Sequence, residues 1–198
     1  MDVFNSITFE PLKLEFEVLE IISGWMDIVI KTPTRRVEYS VSYVCEPIAR
    51  LYRVAALLIQ NKPLISTSFY ISKNDICVIE HDCETEGVYF WLFIRQGQEV
   101  VMLCFHDAYD FLENIIEASL NKNTYNLYEY EDFDETKLEH YIKFALKGTV
   151  EDYVLALKSL HSQTLEETGT AHEWPLEGIK NEDVEIVNKF FSNASVSS

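Results

Sequence analysis

The side chains of this chain best suited to metal or acid–base chemistry crowd together at Glu80, His81, Asp82, Cys83, Glu84 and Glu86, with His106 further on. Carboxylate and imidazole both bind divalent cations, and a histidine beside a carboxylate can move a proton. The spacing argues against convergence, because consecutive residues of an extended chain point to opposite faces. The run is therefore expected to be a solvated acidic loop between two strands, with no metal site and no assigned catalytic residue. Glu80, His81, Asp82 and His106 are what an enzyme reading would have to use, in a site assembled from scattered residues. His172-Glu173 begins like a zinc-protease helix, but Leu176 stands where the second histidine belongs and Pro175 would break the helix. His140 and His161 fall on expected helices without a partner at helical spacing.

The glycines stand at 24, 87, 97, 148, 169 and 178, too far apart for a Walker loop or a dinucleotide-binding turn, so no cofactor is expected. Cys45, Cys77, Cys83 and Cys104 never occur as Cys-x-x-Cys, and three of them lie in apolar runs, as reduced core thiols do. Cys83 sits between Asp82 and Glu84, whose carboxylates disfavour its thiolate.

Charge is the feature furthest from average. The 198 residues hold 33 Asp and Glu against 16 Lys and Arg, a net charge of −17. That sign argues against nucleic acid and anionic membrane as partners, since both are bound by clustered cations. Residues 1 to 99 carry 14 acids and 9 bases, whereas residues 100 to 198 carry 19 acids and 7 bases and no arginine. Within the second half, Tyr125 to Glu139 interleaves Glu129, Glu131, Asp132, Asp134, Glu135 and Glu139 with Tyr125, Tyr128, Tyr130 and Phe133. Carboxylates can meet Lys and Arg of a basic protein while aromatic rings supply contact area and cation–π attraction. The expected partner-binding residues are Tyr128, Glu129, Tyr130, Glu131, Asp132, Asp134 and Glu135, with the two tyrosines as anchors. The plainer alternative is a solvated acidic loop whose rings tuck into the core.

Small size, acidity and the lack of a catalytic motif resemble, in general character and through no residue motif, the immunity proteins of toxin–immunity pairs. That resemblance implies an inhibitor that occludes the basic groove of a toxin. The other readings are the enzyme above and a structural module that forms a homodimer. The longest apolar runs, Val88 to Ile94 and Val54 to Ile59, fall far short of the ~20 residues that span a bilayer. With no basic stretch near Met1 to suggest a secretory signal, a cytoplasmic location is expected.

The elements that must position these residues follow from periodicity. The spacing predicts an α+β fold: an antiparallel sheet from two strand blocks, residues 7 to 45 and 66 to 105, covered by one helix over 47 to 60, with a mainly helical final third. In the first block Leu12, Leu14, Phe16 and Val18 alternate with polar residues. In the second, Val88 to Ile94 has no polar residue to expose, so this strand must be buried on both faces or covered by a partner. Gln96-Gly97 suits a hairpin. Ile48, Leu51, Tyr52, Ala55, Leu58 and Ile59 form a helical stripe behind Pro47. Asp107 suits a further N-cap. Leu138, Tyr141, Ile142, Ala145 and Leu146 predict a helix stopped by Gly148, and Thr149 with Asp152 a capping box for the next. A last helix is expected from Glu182 to Phe191. The whole reads as one domain over 1–191, helical from 107 to 191, with a frayed tail at 192–198.

Overall fold

A computed structural model of the chain describes residues 7–22, 24–42, 46–62, 76–83, 87–106, 141–168, 176 and 178–194. Leu12, Leu14, Phe16 and Val18, which share a face in an extended chain, are all buried and begin the core. They belong to β2 (Glu15–Ile22) and to the link that joins it to β1 (Glu10–Pro11). β2, β3 (Trp25–Lys31) and β4 (Arg36–Ser42) form an antiparallel three-stranded meander, with a register slip between Val18 and Glu20 that leaves Leu19 as a bulge.

A second sheet holds β5 (Ile76–Cys83), β6 (Gly87–Gln96), β7 (Glu99–His106) and β8 (Ile142–Thr149) in the order β1-β8-β7-β6-β5. Its neighbours are antiparallel except for the two-residue parallel pair of β1 and β8. The α+β class is as expected and β1 to β7 follow the two expected strand blocks, of which residues 66–75 lie outside the described residues, though the strands divide into two sheets. Between β6 and β7, Gly97 alone takes a positive φ, the pattern of a type II′ turn, where glycine has no Cβ to clash. Tyr89 to Ile94 are buried throughout, so β6 hides both faces.

Three helices are described: α1 (Pro47–Ile59), α2 (Val150–Thr168) and α3 (Asn181–Ala194). α1 starts with Pro47 in the first turn and ends within a residue of the expected bound, closed by its own backbone. Asn61 adopts a positive φ, its N–H bonds the Leu58 carbonyl at 3.1 Å, and Lys62 N–H reaches the Leu57 carbonyl at 3.0 Å, a Schellman closure. At the start of α2 the capping box forms as expected. Thr149 N–H donates to Asp152 Oδ2 at 2.8 Å, and Asp152 N–H donates to Thr149 Oγ1 at 3.2 Å.

The helix expected over Leu138 to Leu146 is corrected: Ile142–Thr149 is β8, paired along the edge of β7. The helical reading of 107–191 fails there. Ile142, Ala145 and Leu146 suit a helix stripe, but Ile142, Phe144 and Leu146 alternate as well, and pairing with β7 decides between the two. Gly148 is no helix stop. It lies in the strand, where a Cβ would come within 2.5 Å of Leu12 Cβ, so its lack of a side chain lets β1 approach.

The core fills the space between the inner faces of both sheets and helices α1 and α2. Trp91 sits at its centre, with Phe16 stacked at 6.2 Å and Phe144 edge-on at 6.2 Å. Tyr153 of α2 packs on Phe93 at 5.2 Å and donates its hydroxyl to the Leu51 carbonyl at 3.0 Å. Each such buried ring contributes about 1.5–3 kcal/mol. The β3–β4 turn ties the sheets together. The Glu10 carboxylate accepts bonds from the Thr32 and Thr34 hydroxyls and the Thr34 N–H, and Arg35 Nη1 donates to the carbonyls of Ile142 and Lys143 at 3.2 and 2.9 Å. Partial burial works against the charged form of Glu10, but the bonds from Thr34 and Thr32 outweigh it and hold its pKa below the ordinary value.

The open edge of β2 is covered by one side chain. Gln163 of α2 donates to the Phe16 carbonyl at 2.6 Å and accepts the Val18 N–H at 3.1 Å, bonding the strand edge as a residue of a parallel neighbour would. No described helix is long and apolar enough to cross a membrane.

Candidate functional site

The segment expected to carry partner binding, with Tyr128, Glu129, Tyr130, Glu131, Asp132, Asp134 and Glu135, lies outside the described residues, as do His140, His172, Cys45, Glu84 and Glu86.

Glu80 to Cys83 are described, and they correct the expected loop: all four belong to strand β5. Register sorts them. His81 is opposite Tyr89, and Tyr89 is opposite His106, so the two histidines flank one tyrosine in a single cross-strand row. Glu80 and Asp82 take the alternate rows, opposite Phe90 and Val88. The carboxylates thus do not share a row with the histidines, as strand alternation requires. His106 lies at the half-exposed end of β7 with its ring 4.6 Å from that of Tyr89. Among the described residues no group of three His, Cys, Asp or Glu side chains could hold a metal. Cys104 is fully buried.

Two polar pairs that sequence reasoning missed link the helices. Tyr52 of α1 shares a hydrogen bond with His161 Nδ1 of α2, their rings edge-on at 5.2 Å. Burial pushes the Tyr52 phenol up to about 12 and lowers the His161 imidazole. The next residue of α1, Arg53, donates to Asp183 of α3 at 2.9 Å, and this carboxylate is almost wholly buried. Helical spacing within one segment cannot reveal partners more than a hundred residues apart. A high-pKa phenol and a half-buried neutral imidazole can exchange a proton, but here each satisfies the other, and the arrangement is that of a clip between helices.

Glu151, Glu166, Glu167 and Glu182 are exposed and make no ion pair among the described residues. Glu166 and Glu167 occupy the last turn of α2, which holds no base, where the helix dipole disfavours negative charge by roughly 0.3–1 kcal/mol per residue. Their placement is not explained by the stability of the helix.

No protein-family model, curated protein or solved structure matches this chain.

Proposed function

We propose that this protein is an acidic cytoplasmic binding module that covers the cationic surface of a basic protein partner, in the manner of an immunity protein against a toxin. The observation that carries the reading is the charge of the second half, 19 acids against 7 bases without an arginine, including exposed helix carboxylates that no described base neutralises. Such a field attracts a basic partner over a screening length and raises its encounter rate. The main contact is assigned to Tyr125 to Glu139, where carboxylates steer and Tyr128 and Tyr130 anchor.

The test is surface-based binding kinetics against the protein that is encoded beside this chain or co-purifies with it. The variants are Glu131→Lys with Asp132→Lys and Asp134→Lys, and separately Tyr128→Ala or Tyr130→Ala. The charge reversals should slow association; each tyrosine truncation should mainly speed dissociation, by roughly 5–30-fold for a central anchor. Circular dichroism checks that each variant folds. Unchanged affinity in the folded triple variant would remove the acidic segment from the interface.

A further inference from the structure

We propose that the open β2 side of the outer face of the β2–β3–β4 meander is a docking surface for a basic protein segment: Glu20 and Asp27 receive a Lys or Arg side chain, and Trp25 and Ile22 flank its hydrocarbon stem. This rests on the reading that the partner is a basic protein, and it gives that reading a surface within the described fold.

Register lays out this face row by row. Glu15, Lys31 and Arg36 form the first row, Glu17, Val29 and Glu38 the second, Glu20, Asp27 and Ser40 the third, and Ile22, Trp25 and Ser42 the fourth; Val29 and Ser42 are buried, and the face is open along β2 at Glu20 and Ile22. Across the first two rows opposite charges meet, with Lys31 Nζ 2.6 Å from Glu17 Oε2, Arg36 Nη1 2.8 Å from Glu38 Oε2, and Glu15 directly opposite Lys31. The third row breaks the pattern. Glu20 and Asp27 are directly opposite, a spacing at which Cβ atoms stand about 4.5–5.5 Å apart and like charges repel. Ser40 donates its hydroxyl to Asp27, but neither carboxylate has a cation among the described residues. The two bases of this face, Lys31 and Arg36, stand two rows away and are already engaged.

The fourth row breaks a second rule. The solvent side of an antiparallel sheet is normally polar, yet Ile22 is 54% exposed, Trp25 is only half-buried and stands outside the core cluster, and Leu19 at the neighbouring bulge is 41% exposed. A repelling carboxylate pair beside exposed apolar surface is unfavourable twice in the isolated protein. A Lys or Arg side chain relieves both at once, its head between the carboxylates and its stem along Ile22 and the indole face. The chemistry of other occupants fits less well. Two carboxylates and one hydroxyl fall short of the six to eight oxygens a calcium ion takes. A second copy of this acidic chain, an anionic membrane and nucleic acid all bring the wrong sign.

The experiment is NMR on the full ¹⁵N-labelled chain at low salt. The probe is an end-capped nonapeptide alternating Lys with Thr and Val, and the control is the same peptide with Glu for Lys. The expected result is a saturable shift of the Trp25 indole N–H and of the amides of residues 20–27 with the Lys peptide alone. In the double variant Glu20→Gln with Asp27→Asn, affinity should fall at least about tenfold. The same variant without peptide should melt about 2–4 °C higher, because the repulsion is gone. A higher melting point combined with weaker binding is something a purely structural pair would not give. Saturable shifts confined to residues 125–139 would overturn this surface and leave the proposed function standing. No saturable shift anywhere would overturn both.

Discussion

At the scale of single residues, the Tyr52–His161 pair sets a pH dependence with a definite sign. Burial raises the phenol to about 12, so Tyr52 keeps its proton and donates it, and His161 Nδ1 can accept only while the ring is neutral. The lowered imidazole pKa means that the folded state binds fewer protons than the unfolded chain. The contribution to stability is therefore complete above the unfolded value of about 6.5 and is lost as pH falls through the folded one. Urea unfolding should give a lower free energy at pH 5.5 than at pH 7.5, and the drop should shrink in His161→Gln, a comparison in which the other four histidines cancel. Tyr52→Phe should cost about 1 kcal/mol at pH 7.5, the worth of one hydrogen bond in a buried setting. Identical pH slopes in wild type and His161→Gln would show that the imidazole is not the source. Nothing in the sequence points to this pair, because its members are 109 positions apart and meet only where two helices cross.

At the scale of elements, the legible parts of the fold are those settled by neighbours in sequence. α1 follows from Pro47 and a stripe at helical spacing, the β6–β7 hairpin from Gly97, and the α2 start from Thr149 and Asp152, all within a few residues of one another. β8 was not legible, since its apolar residues fit both periods and β7, some forty positions earlier, makes the choice. The same holds for Gly148, which looks like a helix stop but is required because Leu12 approaches from the other end of the chain. The two readings predict different behaviour. A helix-stop glycine would take a positive φ, and Gly148 is not among the glycines that do. In the strand, Gly148→Ala drives a Cβ against Leu12 Cβ, the rigid root of a side chain, and overpacking of this kind costs about 1–3 kcal/mol. Thermal unfolding should register that as a Tm lower by roughly 3–10 °C. An unchanged Tm would mean that β1 and β8 separate freely and that their short pairing adds nothing to the fold. The candidate site was legible only as charge: Glu20 and Asp27 are unremarkable in sequence and become a repelling pair only when β2 folds back on β3.

At the scale of the whole molecule, a net charge of −17 acts on stability and on association with opposite responses to salt. In the isolated chain the majority charges repel one another, and the compact state concentrates that repulsion. Raising ionic strength from 0.01 to 0.1 M shortens the screening length from about 30 Å to about 10 Å, which removes most of the long-range part. Salt also weakens local ion pairs such as Lys31–Glu17 and Lys147–Glu99, but these are exposed on both sides, and pairs of that kind contribute only about 0–1 kcal/mol each. With acids outnumbering bases two to one, relief of repulsion should win, and Tm measured across this range should rise. Steering depends on the same field with the opposite sign, because a basic partner is drawn in by the charges that strain the fold. Its association rate should therefore fall, on the order of tenfold over the same interval, while dissociation changes less. The two measurements separate cause from coincidence. A Tm that drops with salt would mean that local pairs outweigh the overall repulsion. A rising Tm with a salt-independent association rate would mean that the charge burdens the fold without serving the partner, which removes the proposed function's main support.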